Sequence, residues 1–164
     1  MKIVARQLRA VPVVSVAAVG PYEVTTREAW EHLQQLLTKH GARILSKAVF
    51  ALLRDMPHEV RPEDRRLELC AQVSSVTLKK MQGEATIQTF AGGAYLTTTH
   101  RGSYQKLPQM FSQMYAACSL DMNITLDPTR PRVIMFTNDP ADDLMAELGM
   151  PVVDHGTDRP NLSA

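Results

Sequence analysis

Apolar and polar positions along this chain follow two rhythms in turn, and the whole sequence of rhythms occurs twice. Residues 2–19 read as one or two strands broken near Pro12, with Val13, Val14, Val16 and Val19 supplying β-branched character. Trp30, Leu33, Leu36 and Leu37 then recur at helical spacing on one face. Thr25 or Thr26 is placed to cap that helix, Glu28 puts an acid in its first turn, and Gly41 stops it. The apolar run 48–55 reads as a buried strand, 56–64 as a loop, and 65–75 as a further strand that carries Glu68.

The second half runs in the same order. Residues 85–102 hold one or two strands around a turn at Gly92-Gly93, and 103–120 form a helix with Pro108 near its first turn. Residues 131–140 and 143–153 are strands, the last carrying Glu147. The match extends to residues. "GPYEV" (20–24) faces "GSYQK" (102–106), "FALLRDMP" (50–57) faces "IMFTNDP" (134–140), and "LELCAQV" (67–73) faces "AELGMPV" (146–152). An internal repeat of roughly 80 residues follows. The expected fold is α+β: two strand–helix–strand–strand units related by a pseudo-twofold, sharing an antiparallel sheet with a central cleft. Residues 1–154 form one domain on this reading, divided near residue 75, and 155–164 form a tail.

The repeat places Glu68 opposite Glu147, and this changes the reading of both. Strand alternation sets each on the face away from its apolar neighbours, where a lone Glu is ordinarily solvated. Their same-face neighbours, Cys70 and Gln72, Gly149 and Pro151, are small or uncharged and leave room above the carboxylates. Two such groups near one axis predict a ligand site for a cationic or aromatic molecule. Candidate walls are Tyr22, Trp30, Phe50, Tyr95, Tyr104, Phe111, Tyr115 and Phe136. For Trp30, Phe50, Phe111 and Phe136 the competing role is core packing. The four tyrosines have a polar tip and suit a wall better.

Composition narrows the class without choosing within it. The chain has 164 residues, 45% hydrophobic and 21% charged, with a formal net charge of +1 that gives no drive toward nucleic acid or anionic membrane. Lys2, Arg6 and Arg9 around an apolar stretch have the arrangement of a secretory leader, but the valines favour a strand. No run is long enough to span a membrane. Two cysteines, Cys70 and Cys118, read as free thiols in a cytoplasmic chain, and no Cys/His spacing suits zinc, so no metal or cofactor is expected. The histidines are scattered, Ser103 lacks a nucleophile-elbow context, Lys79-Lys80 reads as a solvated loop, and no helix-turn-helix stands outside the repeats.

Gly92-Gly93, Tyr95, His100-Arg101-Gly102 and Tyr104, together with Asn138-Asp139-Pro140, Glu147-Leu148 and Pro151-Val152, resemble the GyrI-like, or AraC-type effector-binding, domain over about residues 2–153. The resemblance implies fused repeats around a small-molecule cleft and places the family's cleft carboxylate on Glu147, with Glu68 as its counterpart. Relatives often read Glu-x-Tyr in the strand before Asn138-Asp139-Pro140, where this chain has Ile134 and Phe136, and a Pro where it has Gln72. Three functions follow from the resemblance. One is a stand-alone binder of lipophilic cationic or aromatic molecules, for drug sensing, transcription regulation or sequestration. Another is a hydrolase of electrophilic cyclopropane-type genotoxins using a cleft Glu. The third is an interaction module acting on a separate regulator or on gyrase. The binder is the favoured reading, with no catalytic residue assigned and no direct contact with nucleic acid or membrane.

Overall fold

The computed structural model describes residues 1–45, 48–140 and 142–154; the expected tail, 155–164, lies outside them. Strands β1 (Val4–Leu8) and β2 (Val11–Val19) precede helix α1 (Tyr22–Lys39), followed by β3 (Val49–Leu53) and β4 (Arg66–Ala71). A short helix α2 (Ser75–Met81) leads to β5 (Thr86–Phe90) and β6 (Gly93–Gly102). Helix α3 (Leu107–Ser119), β7 (Arg132–Phe136) and β8 (Leu144–Pro151) complete the fold. All eight strands form one antiparallel sheet in the order β1-β6-β8-β7-β3-β4-β2-β5.

The repeat is written into that order. β6-β8-β7 of the second half mirrors β2-β4-β3 of the first, and the halves join edge to edge where Ala51 pairs with Ile134 and Leu52 with Val133. The leading strands are exchanged: β1 runs into β2 yet pairs with β6, and β5 runs into β6 yet pairs with β2. Each half thereby covers the other's outer edge, which otherwise would present unpaired backbone groups. The two connections pass close together. A Cβ on Gly92, whose φ is +67°, would sit 2.5 Å from the Leu8 carbonyl oxygen and 2.7 Å from the Ala10 nitrogen, so this position requires glycine.

Alternation then divides the side chains. Val14, Val16, Ala51, Leu53, Leu67, Leu69, Ile134, Leu148 and Met150 face the helices and join Leu33, Leu36, Leu37, Phe111 and Met114 in one core spanning both halves. The opposite face is inner. Phe90 of the edge strand β5 reaches Phe50 at 5.1 Å and Tyr95 of β6 at 6.2 Å between ring centroids, so the sheet curls toward this side. Among the described residues no helix is long and apolar enough to cross a membrane.

Two local expectations are corrected. Helix α1 begins at Tyr22 with Pro21 at its N-cap, and Thr25 and Thr26 are buried inside the first turns. With Pro21 at the N-cap, Thr25 lies four residues on, and its hydroxyl donates back to the Pro21 carbonyl at 3.1 Å. Lys79 and Lys80 lie in the last turn of α2, where cations meet the negative helix end; Ser74 caps the other end, its hydroxyl accepting from the Thr77 N–H at 3.2 Å.

Candidate functional site

Glu68 and Glu147 do share the inner face, as their alternation predicts. Both side chains are largely buried, at 24% and 17% exposure. They do not meet. Glu68 lies on β4 and Glu147 on β8, with β7 and β3 between, a separation of three strand spacings, roughly 14 Å along the sheet. Phe50, Leu52, Val133 and Met135 fill the interval. The room expected beside Gly149 is already filled: a Cβ on it would come within 2.5 Å of a Val133 methyl and 3.1 Å of the Tyr95 ring.

Each carboxylate has its own arginine. Glu147 accepts from Arg6 of β1 and, at 2.5 Å, from the Thr97 hydroxyl of β6. Glu68 accepts from Arg54 Nε at 2.9 Å and from Gln88 Nε2 at 3.4 Å, and Gln88 also donates to the Ser15 hydroxyl. These partners follow from the strand exchange, since Arg6 and Gln88 stand on the swapped strands β1 and β5. Beside Arg54 and Gln88 a cavity of about 130 Å³ opens, walled by Leu52, Phe90, Tyr95 and Arg130. Arg130 is already engaged by Asp127 and by the carbonyls of Gly92, Ala94 and Val152, and its guanidinium lies 5.0 Å over the Tyr95 ring.

The remaining aromatic candidates belong to the other face. Tyr22, Trp30, Phe111 and Phe136 are buried in the core beneath the helices, and Tyr104 packs against it. Tyr115 is 41% exposed on α3, its ring 6.3 Å from that of His58. α1 packs chiefly on β2 and β4, and α3 on β8, so the central strands β3 and β7 floor the space between the helices. Met56, from the segment after β3, is buried in the same cluster.

Here the two halves part company. Tyr104, the counterpart of Tyr22, donates its hydroxyl to the Pro140 carbonyl at 2.8 Å. The corresponding carbonyl in the first half, that of Pro57, instead accepts from Arg65 Nε at 3.1 Å, and the Arg65 guanidinium lies 5.3 Å over the Tyr22 ring. Tyr22, 1% exposed, is left with a buried hydroxyl that has no hydrogen-bond partner among the described residues. A second orphan accompanies it. Arg132 shares its strand face with Ile134 and Phe136, and its buried Nε also lacks a partner. Burial pulls the Arg132 guanidinium below its ordinary range, while Glu59, Tyr22, Asp55 and Tyr115 lie within electrostatic reach and act in the opposite sense. Burial likewise pushes the Tyr22 phenol well above its usual value. Asp55 is occupied by Arg66, through contacts as short as 2.6 Å.

The structure thus divides the predicted residues between two faces: Glu68, Glu147, Phe50 and Tyr95 within, and Tyr22, Trp30, Tyr104, Phe111, Tyr115 and Phe136 beneath or beside the helices. Sequence reasoning passed over the arginines. Arg6 and Arg54 carried no local signal. Arg132 did, because a charge alternating with Ile134 and Phe136 on an apolar strand face is the same anomaly that singled out Glu147.

Comparison with known proteins gives this geometry a family. The profile of the GyrI-like small molecule binding domain matches residues 1–152. No curated protein matches the chain. Among solved structures, the EcmrR C-terminal domain superposes with a TM-score of 0.74 at 18% identity, over 93% of this chain and 97% of that domain. In the EcmrR–DNA complex the match spans 57% of the EcmrR chain. A hydrolase from Listeria innocua (TM-score 0.59, 11% identity, 93% and 92% coverage) and SAV2435 bound to tetraphenylphosphonium (0.55, 12%, 93% and 96%) have similar folds.

Proposed function

The chain belongs to the GyrI-like small-molecule-binding family, and from that premise we propose that it receives a lipophilic aromatic ligand between α1 and α3, over the β3–β7 floor. The observation that carries this reading is that, of the four buried side-chain polar atoms without partners among the described residues, two, Tyr22 Oη and Arg132 Nε, belong with one aromatic cluster; the others are Thr26 Oγ1 and Asn138 Oδ1. Buried polar atoms are almost always satisfied in a finished core, and leaving one orphaned costs about 1–3 kcal/mol. A core needs no such groups; a binding seat does. Entry requires Met56 to withdraw, which suits an unbranched, adaptable side chain.

Similar folds bound to tetraphenylphosphonium and in the EcmrR–DNA complex support a role in drug sensing, sequestration or transcription regulation. A cation seated at Glu147 or Glu68 must first displace Arg6 or Arg54. Arg6 is 52% exposed and is the easier of the two to displace. The same pairings keep both carboxylates from acting as a free general base, so binding is preferred to hydrolysis.

Trp30 is the only tryptophan and lies in the cluster, so its fluorescence reports occupancy. Titration with neutral two- and three-ring aromatics is expected to give a saturable change. Tyr115→Ala, at the exposed margin, is expected to weaken binding by about fivefold through loss of a ring contact. Absence of any saturable response would overturn the site.

A further inference from the structure

Resting on that reading, we propose that the seat between the helices selects for a carboxylate carried on the aromatic ligand, and that Arg132 receives it. On the helix-facing side of β7 the strand presents Arg132, Ile134 and Phe136, one cation and two apolar residues, with no carboxylate among them. Among the described residues, the two carboxylates that act on Arg132, those of Asp55 and Glu59, are accounted for. Asp55 is held by Arg66 through its main-chain N–H and its guanidinium, and Glu59 is 67% exposed. Arg65, stacked on Tyr22, adds a second positive charge while its Nε is spent on the Pro57 and Val60 carbonyls. The balance at this end of the groove is therefore positive.

Donor geometry selects the anion. A guanidinium presents a planar fork that matches a carboxylate in two parallel hydrogen bonds, and such charge-assisted bonds strengthen as water is excluded. Among the described residues Arg132 Nε is buried and unpaired, and the Tyr22 hydroxyl is a third donor with no acceptor. A carboxylate accepts from all of them; an ammonium or phosphonium accepts from none and is repelled. The aromatic body of the ligand then lies toward Trp30 and Phe111, which belong to the same cluster as Tyr22. The glutamates of the inner face, closed by their own arginines, take no part.

The test is calorimetric titration of the full chain with three probes of one shape: 2-naphthoate, 2-naphthamide and 2-naphthylmethylammonium. Wild type is expected to bind the naphthoate about tenfold more tightly than the amide, from the added worth of a charge-assisted hydrogen bond, and the ammonium most weakly. Arg132→Gln is expected to erase the preference for naphthoate over the amide. Arg132→Lys, which keeps the charge without the fork, is expected to restore part of it. Tyr22→Phe is expected to lower naphthoate affinity by a few-fold. A thermal melt of each variant checks that the chain is folded. Equal binding of naphthoate and amide by wild type, or a preference that survives in folded Arg132→Gln, would overturn the carboxylate assignment and leave the aromatic site standing. Failure of all three probes to bind would overturn the aromatic site as well.

Discussion

The two halves of this molecule begin from one plan and end differently at one tyrosine. In the second half Tyr104 closes its loop by donating to Pro140. In the first, Arg65 has taken the matching Pro57 carbonyl and lies over the Tyr22 ring, leaving the hydroxyl idle. The difference teaches how a duplicated scaffold acquires a single site. Symmetry supplies two equivalent positions; on the proposed reading, the half whose tyrosine is satisfied holds a structural joint and the half whose tyrosine is orphaned holds the seat. A similar arginine-over-tyrosine arrangement in the second half, Arg130 over Tyr95, is wholly structural, since Arg130 is bonded on every side.

The comparison breaks first at those arginines. Arg130→Ala strips partners from the carbonyls of Gly92, Ala94 and Val152 and from Asp127, and is expected to cost about 3 kcal/mol in urea unfolding. Arg65→Ala is expected to cost only about 1 kcal/mol, because the Tyr22 hydroxyl can then turn to Pro57 as Tyr104 does to Pro140. In a Tyr22→Phe background that rescue is gone, and the same substitution should cost more. Additive behaviour of the two changes would show that the halves are not interchangeable in this way.

Next in size is the tyrosine pair itself. Tyr104→Phe removes a buried hydrogen bond and leaves the Pro140 carbonyl short of a donor, and is expected to destabilise by about 1 kcal/mol. Tyr22→Phe removes a hydroxyl that bonds nothing, and is expected to be neutral or stabilising by up to about 1 kcal/mol while weakening carboxylate binding. Urea denaturation of the two single variants reads the contrast directly. Equal losses would mean that Tyr22 is as well satisfied as its counterpart.

Much of this was legible in the chain, and the rest was hidden for physical reasons. Period-two alternation around Glu68 and Glu147 gave the strand faces correctly, and the spacing of Trp30, Leu33, Leu36 and Leu37 gave α1, because both signals are local. The repeat gave the shared antiparallel sheet. It could not give the exchange of β1 and β5, since a strand's pattern records which face is buried and not which neighbour it pairs with. The exchange is what brings Arg6 to Glu147 across 141 positions of sequence. Nor could the repeat give the curl of the sheet, which brings Phe50 and Tyr95 to Phe90 on the inner face. Thr25 misled because a threonine before an apolar run suits a cap, while Pro21 had already started the helix.

The smallest expected effect concerns the two carboxylates that first drew notice. Glu147→Gln leaves Arg6 on the edge strand, half exposed and free to hydrate, and Glu68→Gln leaves Arg54, 40% exposed, with Gln88 still in reach. An ion pair with so exposed a partner contributes about 0–1 kcal/mol, so both variants are expected to unfold within about 1 kcal/mol of wild type. The informative readout is binding. If Glu147 and Glu68 serve to fasten the swapped strands to the sheet, neither substitution moves the affinity for naphthoate or for tetraphenylphosphonium. A drop of tenfold or more in tetraphenylphosphonium affinity for either variant, with naphthoate unchanged, would place a cation on the inner face and show that one fold keeps separate seats for opposite charges.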